Sequence, residues 1–140
     1  MIYAFFINSL IVAIAVVVHY EILYRLSLYI PEMKMKHRFR IVICVFGTFI
    51  AHVMEVWLFA VAYYFMNKAS GWGELQGNFD GSLLDCGYFS FTVYSTVGFG
   101  DVVPLGSIRF LTGVESLLGL ILITWSASFL YLQMEKEWKT

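Results

Sequence analysis

Charged residues are scarce in this chain of 140 residues. Only 14% of the residues are charged, whereas 60% are hydrophobic and 19% are aromatic. A soluble domain carries about a quarter charged residues, and a chain this short exposes a large surface that so little charge does not cover. The composition therefore excludes a soluble globular enzyme and a disordered chain, and it predicts an integral membrane protein.

The chain also lacks an excess of basic charge, a set of cysteines and any enzymatic motif. Nine Lys and Arg residues stand against ten Asp and Glu residues, which leaves no positive field for nucleic acid. Cys44 and Cys86 do not make a disulfide framework. No phosphate-binding loop, His-Glu-x-x-His motif or nucleophile pattern predicts an enzyme or a small-molecule substrate.

Three long apolar runs, at about 2–18, 41–66 and 108–132, are what the chain has instead. Each is long enough to cross a bilayer, which takes about 20 helical residues, and none contains proline. We expect three transmembrane helices, because a helix satisfies its own backbone hydrogen bonds in lipid. The first run lacks a basic start and a cleavage site, so we expect it to be retained. Its amphipathic continuation to residue 30 either prolongs the helix or lies along the interface, ending at Pro31.

Basic residues predict the orientation of these helices. Five fall in segment 21–40 and two near the C-terminus, whereas segment 67–107 holds only Lys68. Because basic loops favour the cytoplasmic side, the N-terminus and segment 67–107 are expected outside and the C-terminus inside. We therefore expect a multi-pass protein of the plasma membrane, which in a bacterium is the inner membrane.

The outer connection changes character along its length. Residues 67–82 are polar and glycine-rich, which is typical of a surface loop. Residues 83–94 are apolar and aromatic, and Ser82 followed by Asp85 indicates a helix start. This run is too short to span, so it predicts a re-entrant helix surrounded by protein.

The next six residues, 96–101, read Thr-Val-Gly-Phe-Gly-Asp. Gly98 and Gly100 can adopt left-handed dihedrals, and alternating handedness turns successive carbonyls to the same side of a strand. A ring of such strands replaces the water shell of a cation, and the preceding helix directs its negative C-terminal end at the ion path. Each chain supplies one strand, so the arrangement requires four chains.

This segment resembles the selectivity filter of potassium channels, in the variant with Phe99 in place of Tyr. The likeness extends over about residues 41–132 and is closest to small bacterial members of the family with one extra N-terminal helix. It implies an all-α membrane fold with three transmembrane helices, a re-entrant pore helix and a filter loop. It also implies a homotetramer in membrane lipid that conducts K⁺ ions and needs no organic cofactor.

The resemblance implies a division of the chain. An N-terminal helix with its extension occupies 1–30, a basic cytoplasmic linker 31–40, a pore domain 41–132 and a short cytoplasmic tail 133–140. Within the pore domain the implied elements are an outer helix at 41–66, a turret at 67–82, a pore helix at 83–94, a filter at 96–101, a turn at Val103-Pro104 and an inner helix at 108–132.

The resemblance also implies roles for single residues. Ions would bind to backbone carbonyls of the filter, contributed by Thr96, Val97, Gly98, Phe99 and Gly100. Filter support is expected from Asp101, Thr92 and Glu115, where Thr92 replaces a pore-helix Glu that pairs with the Asp in some bacterial channels. Gly119, four residues after Glu115, is the expected gating hinge. Helical spacing then predicts a cavity-lining stripe of Ser116, Leu120, Ile123 and Ala127.

Ionisable residues inside spans are candidate functional residues. Glu115 is either a carboxylate that stabilises the filter base or a hydrogen-bonded packing residue. His52 and Glu55 lie three residues apart on one helix face. The pair either binds a metal ion, senses protons or forms hydrogen bonds to a neighbouring helix. His19 and Glu21 would join a metal site only if the fold brings them near His52.

Three hypotheses follow. The first is a potassium-selective channel. The second is a weakly selective cation channel, because Phe99 lacks the hydroxyl that would bond to the pore helix. The third, of another class, is a membrane metal-binding or structural subunit that uses His52, Glu55 and Glu115.

Overall fold

The computed structural model describes residues 2–139, with Ile2 described by its backbone alone. The expected segments 1–30 and 133–140 begin at Met1 and end at Thr140, and these two residues lie outside the described residues. The elements in chain order are α1 (Ile2–Glu32), α2 (His37–Lys68), β1 (Glu74–Gly77), α3 (Leu83–Tyr94), β2 (Val102–Leu105) and α4 (Ile108–Trp138). The expected all-α membrane fold with a short helix between the second and third long helices is confirmed.

Helices α1, α2 and α4 are long and apolar enough to cross a membrane. The short α3 packs against α2 and α4, and α1 packs along α2 and also touches α4. Aromatic and aliphatic side chains from these helices form one core, which includes Phe59, Tyr63, Phe89, Leu111 and Leu122. Within the single chain, this core covers the faces of α3 that pack on α2 and α4. A re-entrant helix requires such covering by protein.

The long helices extend beyond the apolar runs that predict them. Helix α1 continues through Pro31 and ends at Glu32. Proline is tolerated there because in the last turn it removes only one backbone hydrogen bond. The expected basic linker at 31–40 is therefore wrong in extent, since only residues 33–36 separate α1 from α2.

The expected tail at 133–140 is also corrected, because α4 continues to Trp138. Polar contacts stabilise this extension. The carboxylate of Glu137 meets His37 and Arg40 at the start of α2, with its Oε1 3.4 Å from Nη1 of Arg40. Lys139 pairs with Glu135 one turn away. The ends of α2 and α4 that lie beside the linker are thus held together.

A two-stranded antiparallel sheet joins the outer loop to the segment after the filter. Glu74 pairs with Leu105 and Gly77 with Val102. The expected turn at Val103-Pro104 is therefore wrong, because both residues lie in β2, and residues 67–82 are not loop throughout. Proline is tolerated in so short a ribbon because its missing N–H can face away from the partner strand.

Candidate functional site

Helix α3 begins with a side-chain cap and ends at the filter segment. The Ser82 Oγ accepts a hydrogen bond from the Asp85 backbone N–H at 3.1 Å, as the sequence predicts. Asp80 Oδ1 accepts from the Ser82 N–H at 2.7 Å, and hydrogen bonds from Ser82 hold the pKa of Asp80 below its usual value. The cap fixes where α3 starts, and its last residue, Tyr94, lies two positions before Thr96.

The backbone of residues 96–100 alternates in handedness. The φ angle is positive at Thr96 (61°), Gly98 (52°) and Gly100 (80°), and Thr96 is the one non-glycine residue with positive φ in the part of the chain that the structure describes. An L-residue in this conformation costs about 1–2 kcal/mol. The Gly98 N–H donates to the Thr92 carbonyl at 2.9 Å, and the Thr96 N–H donates to the Val93 carbonyl at 3.0 Å. Carbonyls of α3 therefore hold the strained segment.

The filter segment is uncovered on the single chain. Residues 95–100 are all exposed, and Val97 and Phe99 are 56% and 69% exposed. More than half of the surface of each of these two apolar side chains is therefore left uncovered by its own chain. They lie beside the carbonyls that alternating dihedrals would align.

Asp101 is supported by Tyr88 rather than by Thr92. The Tyr88 hydroxyl donates to Asp101 Oδ2 at 2.8 Å, and this bond raises the pKa of Tyr88. The Tyr88 ring also stacks on Phe99, with centroids 6.5 Å apart and planes at 4°. Thr92 instead donates its hydroxyl to the Phe89 carbonyl at 2.8 Å. Thr92 thus supports the filter through its backbone carbonyl, and the sequence did not single out Tyr88 as the partner of Asp101.

The outer ribbon holds the far end of the filter. The Asn78 N–H donates to the Asp101 carbonyl at 2.9 Å. Gly77 has φ of 111°, and a Cβ there would come within 2.2 Å of the same carbonyl oxygen. The residue after the filter is therefore bonded to the turret through its backbone and to α3 through its side chain.

Glu115 lies behind α3 and is fully buried. Its carboxylate accepts from the Tyr63 hydroxyl and the Ser90 hydroxyl, each at 2.5 Å. Ser90 also approaches the Val56 carbonyl at 2.8 Å. Glu115 thus joins α2, α3 and α4 by hydrogen bonds, and it reaches the filter only through the pore helix.

Gly119 is the point where α4 meets the end of α3. A Cβ at this position would come within 2.2 Å of the Tyr94 carbonyl oxygen, so only glycine allows the observed approach. Helix α4 runs unbroken through it. Ser116 is half-buried, and Leu120, Ile123 and Ala127 are exposed, on a face that the single chain leaves uncovered. The expected hinge therefore faces α3, whereas the expected cavity stripe lies on the adjacent, mostly uncovered face of α4.

His19, His52 and Glu55 meet between α1 and α2, and we call these three residues the histidine cluster. His19 Nδ1 lies 2.8 Å from Glu55 Oε1, and His52 Nδ1 lies 3.3 Å from Glu55 Oε2. The Tyr94 hydroxyl donates to Glu55 and lies 2.8 Å from His52 Nδ1. Glu21 does not join them.

Glu21 instead pairs with Arg25 at 2.6 Å on an exposed face of α1. Ser126 of α4 also approaches the cluster, with its Oγ 3.3 Å from His19 Nε2. Sequence reasoning missed Tyr94 and Ser126, because neither shares a helix with the residues it contacts.

The two cysteines are buried and free, as expected. Burial raises the pKa of the Cys86 thiol to about 11, so the thiolate that reacts with oxidants or metals is scarce at neutral pH.

The comparisons with known proteins agree with this geometry. The family model described as ion channel matches residues 38–136, which include α2, α3, the filter segment and nearly all of α4. Neither a curated protein nor a solved structure matches the chain significantly. The match covers well over half of the chain and leaves out only α1 and the two ends, and the chain therefore belongs to the ion channel family.

Proposed function

We propose that four copies of this chain form a potassium-selective channel. The observation that carries the proposal is the backbone of residues 96–100, in which positive φ recurs at every second residue. This alternation turns successive carbonyls of Thr96, Val97, Gly98 and Phe99 toward one side, and a ring of such carbonyls replaces the hydration shell of a K⁺ ion. The ion is the transported substrate.

The uncovered surfaces of the chain support the assembly. The filter segment and the face of α4 with Leu120, Ile123 and Ala127 are exposed in one chain. Around a four-fold axis, the filters would line the conduction path and the α4 faces the cavity below it. The apolar exposed side chains of α1, such as Phe5, Phe6 and Val17, would contact lipid.

The charge distribution supports an orientation. The segment between α2 and α4 carries the acids Glu74, Asp80, Asp85 and Asp101 and no Lys or Arg, so it favours cations and the outer side. Helix α3 would direct its negative end along the ion path. The linker and the end of α4 would then lie in the cytoplasm.

Reconstitution tests the proposal. Liposomes containing the whole protein and opposing gradients of K⁺ and Na⁺ should give a reversal potential close to the K⁺ equilibrium potential. Cross-linking in the same liposomes should yield species up to a tetramer. A reversal potential that does not follow the K⁺ gradient would overturn the proposal, as would a protein that carries no current and cross-links only to dimers.

A matched pair of glycine variants makes the test specific. Gly100 and Gly81 have φ of 80° and 82°, and a Cβ at either would meet nothing within 4 Å in the chain. Alanine therefore carries the same strain of about 1–2 kcal/mol at both sites, but only Gly100 lies in the filter. Gly100→Ala should abolish selective current, whereas Gly81→Ala should leave it unchanged.

A weakly selective cation channel is the second candidate. It is favoured by Phe99, which has no hydroxyl and touches Tyr88 only by ring stacking, so this part of the filter lacks one hydrogen bond. Equal permeability to K⁺ and Na⁺ in the wild-type protein would favour this candidate. The Gly100→Ala variant would then carry less current at an unchanged K⁺/Na⁺ permeability ratio.

A further inference from the structure

The histidine cluster is built from two different helices. His19 comes from α1, whereas His52 and Glu55 come from α2. Their ligand atoms all lie within 4.8 Å of one another. His19 and Glu55 are buried at 0% and 1% exposure, and the His52 side chain is 20% exposed. None of the three contributes to the conduction path proposed above.

We propose that the histidine cluster binds one divalent first-row transition metal ion per chain, with Zn²⁺ as the natural probe. Two imidazoles and one carboxylate are a donor set that Zn²⁺ uses in proteins. Tetrahedral ligands about 2.0–2.1 Å from Zn²⁺ lie about 3.3–3.4 Å from one another. The separation of His52 Nδ1 from Glu55 Oε2, 3.3 Å, matches this spacing, whereas His19 Nδ1 and Glu55 Oε1, which are 2.8 Å apart, must move apart slightly to admit an ion.

A neighbouring hydroxyl fits the second shell of such a site. His19 Nε2 lies 3.3 Å from Ser126 Oγ on α4. A metal-binding histidine donates its other ring N–H to a partner that fixes the tautomer. When Nε2–H donates to Ser126, the Nδ1 lone pair of His19 faces the Glu55 carboxylate at 2.8 Å. In that tautomer, a metal ion bound to both Nδ1 and the carboxylate oxygen would offset the repulsion between their lone pairs.

The position of the carboxylate gives a further reason. Glu55 lies inside a membrane-spanning helix, where an unpaired charge is costly. In the structure the Tyr94 hydroxyl donates to this carboxylate, and the Nδ1 atoms of His19 and His52 lie 2.8 Å and 3.3 Å from its oxygens. A divalent ion would neutralise it more fully, with the fourth position taken by water or by the Tyr94 oxygen, which lies 2.8 Å from His52 Nδ1.

Metal stoichiometry tests the proposal without reference to ion conduction. The whole protein is purified in detergent with an affinity tag that contains no histidine, stripped with chelator, and equilibrated with ZnCl₂ or CoCl₂ before desalting. Mass spectrometry should find about one metal per chain. The Co²⁺ form should show the intense visible absorption of a tetrahedral site with nitrogen and oxygen ligands, reversible by chelator.

Variants locate the site. His19→Ala, His52→Ala and Glu55→Gln should each weaken Zn²⁺ binding by at least about tenfold, and Ser126→Ala should weaken it by about tenfold. His37→Ala is the matched control, because His37 is the remaining histidine and lies at the start of α2, against Glu137. It should bind Zn²⁺ like the wild type.

Several results would overturn the proposal. These are wild-type protein with far less than one metal per chain, undiminished binding in the Glu55→Gln variant, or an equal loss in the His37→Ala control. The Co²⁺ spectrum of the wild type needs no variant, so the test holds even if a cluster variant fails to fold. A purely hydrogen-bonded cluster predicts no spectrum at all.

Discussion

The contact between Gly119 and the Tyr94 carbonyl offers the sharpest test of how the pore helix is held. A methyl group placed on Gly119 would start 2.2 Å from the carbonyl oxygen and 2.9 Å from the carbonyl carbon, whereas side-chain carbons stay beyond 3.0 Å. The obstacle is backbone rather than a flexible side chain. Either α4 or the end of α3 must therefore move when Gly119 is replaced by Ala.

The magnitude follows from two opposing effects. Overpacking a close contact costs about 1–3 kcal/mol, whereas Gly→Ala inside a helix gains up to about 1 kcal/mol of helix propensity. Gly113, on the same helix, separates these effects, because a Cβ there would meet nothing within 4 Å in the chain. Gly113→Ala and Gly119→Ala gain the same propensity. We therefore expect Gly119→Ala to be less stable than Gly113→Ala by about 1–3 kcal/mol.

The buried cysteines provide the assay. Cys44 and Cys86 are free and 1% and 0% exposed, so a thiol-reactive dye becomes fluorescent only as the protein unfolds. Gly119→Ala should unfold at a lower temperature than Gly113→Ala, by roughly 4 °C for each kcal/mol. In the proposed channel the K⁺ current should fall in parallel, because Tyr94 lies two residues before Thr96. Equal unfolding temperatures would refute the packing argument, and an altered current at equal stability would favour a hinge at Gly119 instead.

Two further substitutions test the support of the filter. Tyr88→Phe removes the hydroxyl that donates to Asp101 and keeps the ring stacked on Phe99. In the proposed channel the K⁺/Na⁺ permeability ratio should fall severalfold, while the unfolding temperature changes little. An unchanged reversal potential would contradict this role of Tyr88. Glu115→Leu removes the main acceptor of the buried Tyr63 hydroxyl and leaves the Ser90 hydroxyl with the Val56 carbonyl alone, so it should destabilise the protein by about 1–3 kcal/mol. Glu115→Gln keeps an acceptor and should cost less than half as much in the thiol-dye assay. Equal losses in the two Glu115 variants would show that hydrogen bonding is not what Glu115 contributes.

Local patterns were sufficient to predict the helices. The three apolar runs and the cap at Ser82 depend on residues that are close in sequence, and the structure has long helices around those runs and α3 at Leu83–Tyr94. Glycine at positions 98 and 100 likewise indicates the left-handed backbone found there. These features follow from hydropathy, capping and dihedral freedom, which act within a few residues.

Features that depend on distant partners were not predicted. The β1–β2 ribbon pairs residues about 30 positions apart in a segment whose polarity and glycines indicate a loop. Thr96 has no local reason for positive φ, and its conformation depends on the α3 carbonyls that the filter backbone contacts. Glu137 of α4 bonds to His37, which is 100 residues away in the sequence, and this contact stabilises α4 beyond its apolar run. In each case a tertiary contact decides a conformation that sequence spacing leaves open.

Tyr94 is where these tertiary contacts converge. Its carbonyl touches Gly119 of α4, and its hydroxyl bonds to Glu55 of α2, which in turn meets His19 of α1. A displacement of α1 therefore has a direct route through Glu55 to the last residue of the pore helix. The N-terminal helix lies outside the part of the chain that the ion channel family model matches, and yet its His19 is linked through Glu55 to Tyr94, two residues before Thr96. A metal ion bound at the histidine cluster would therefore lie against the hydroxyl of Tyr94, two residues before Thr96.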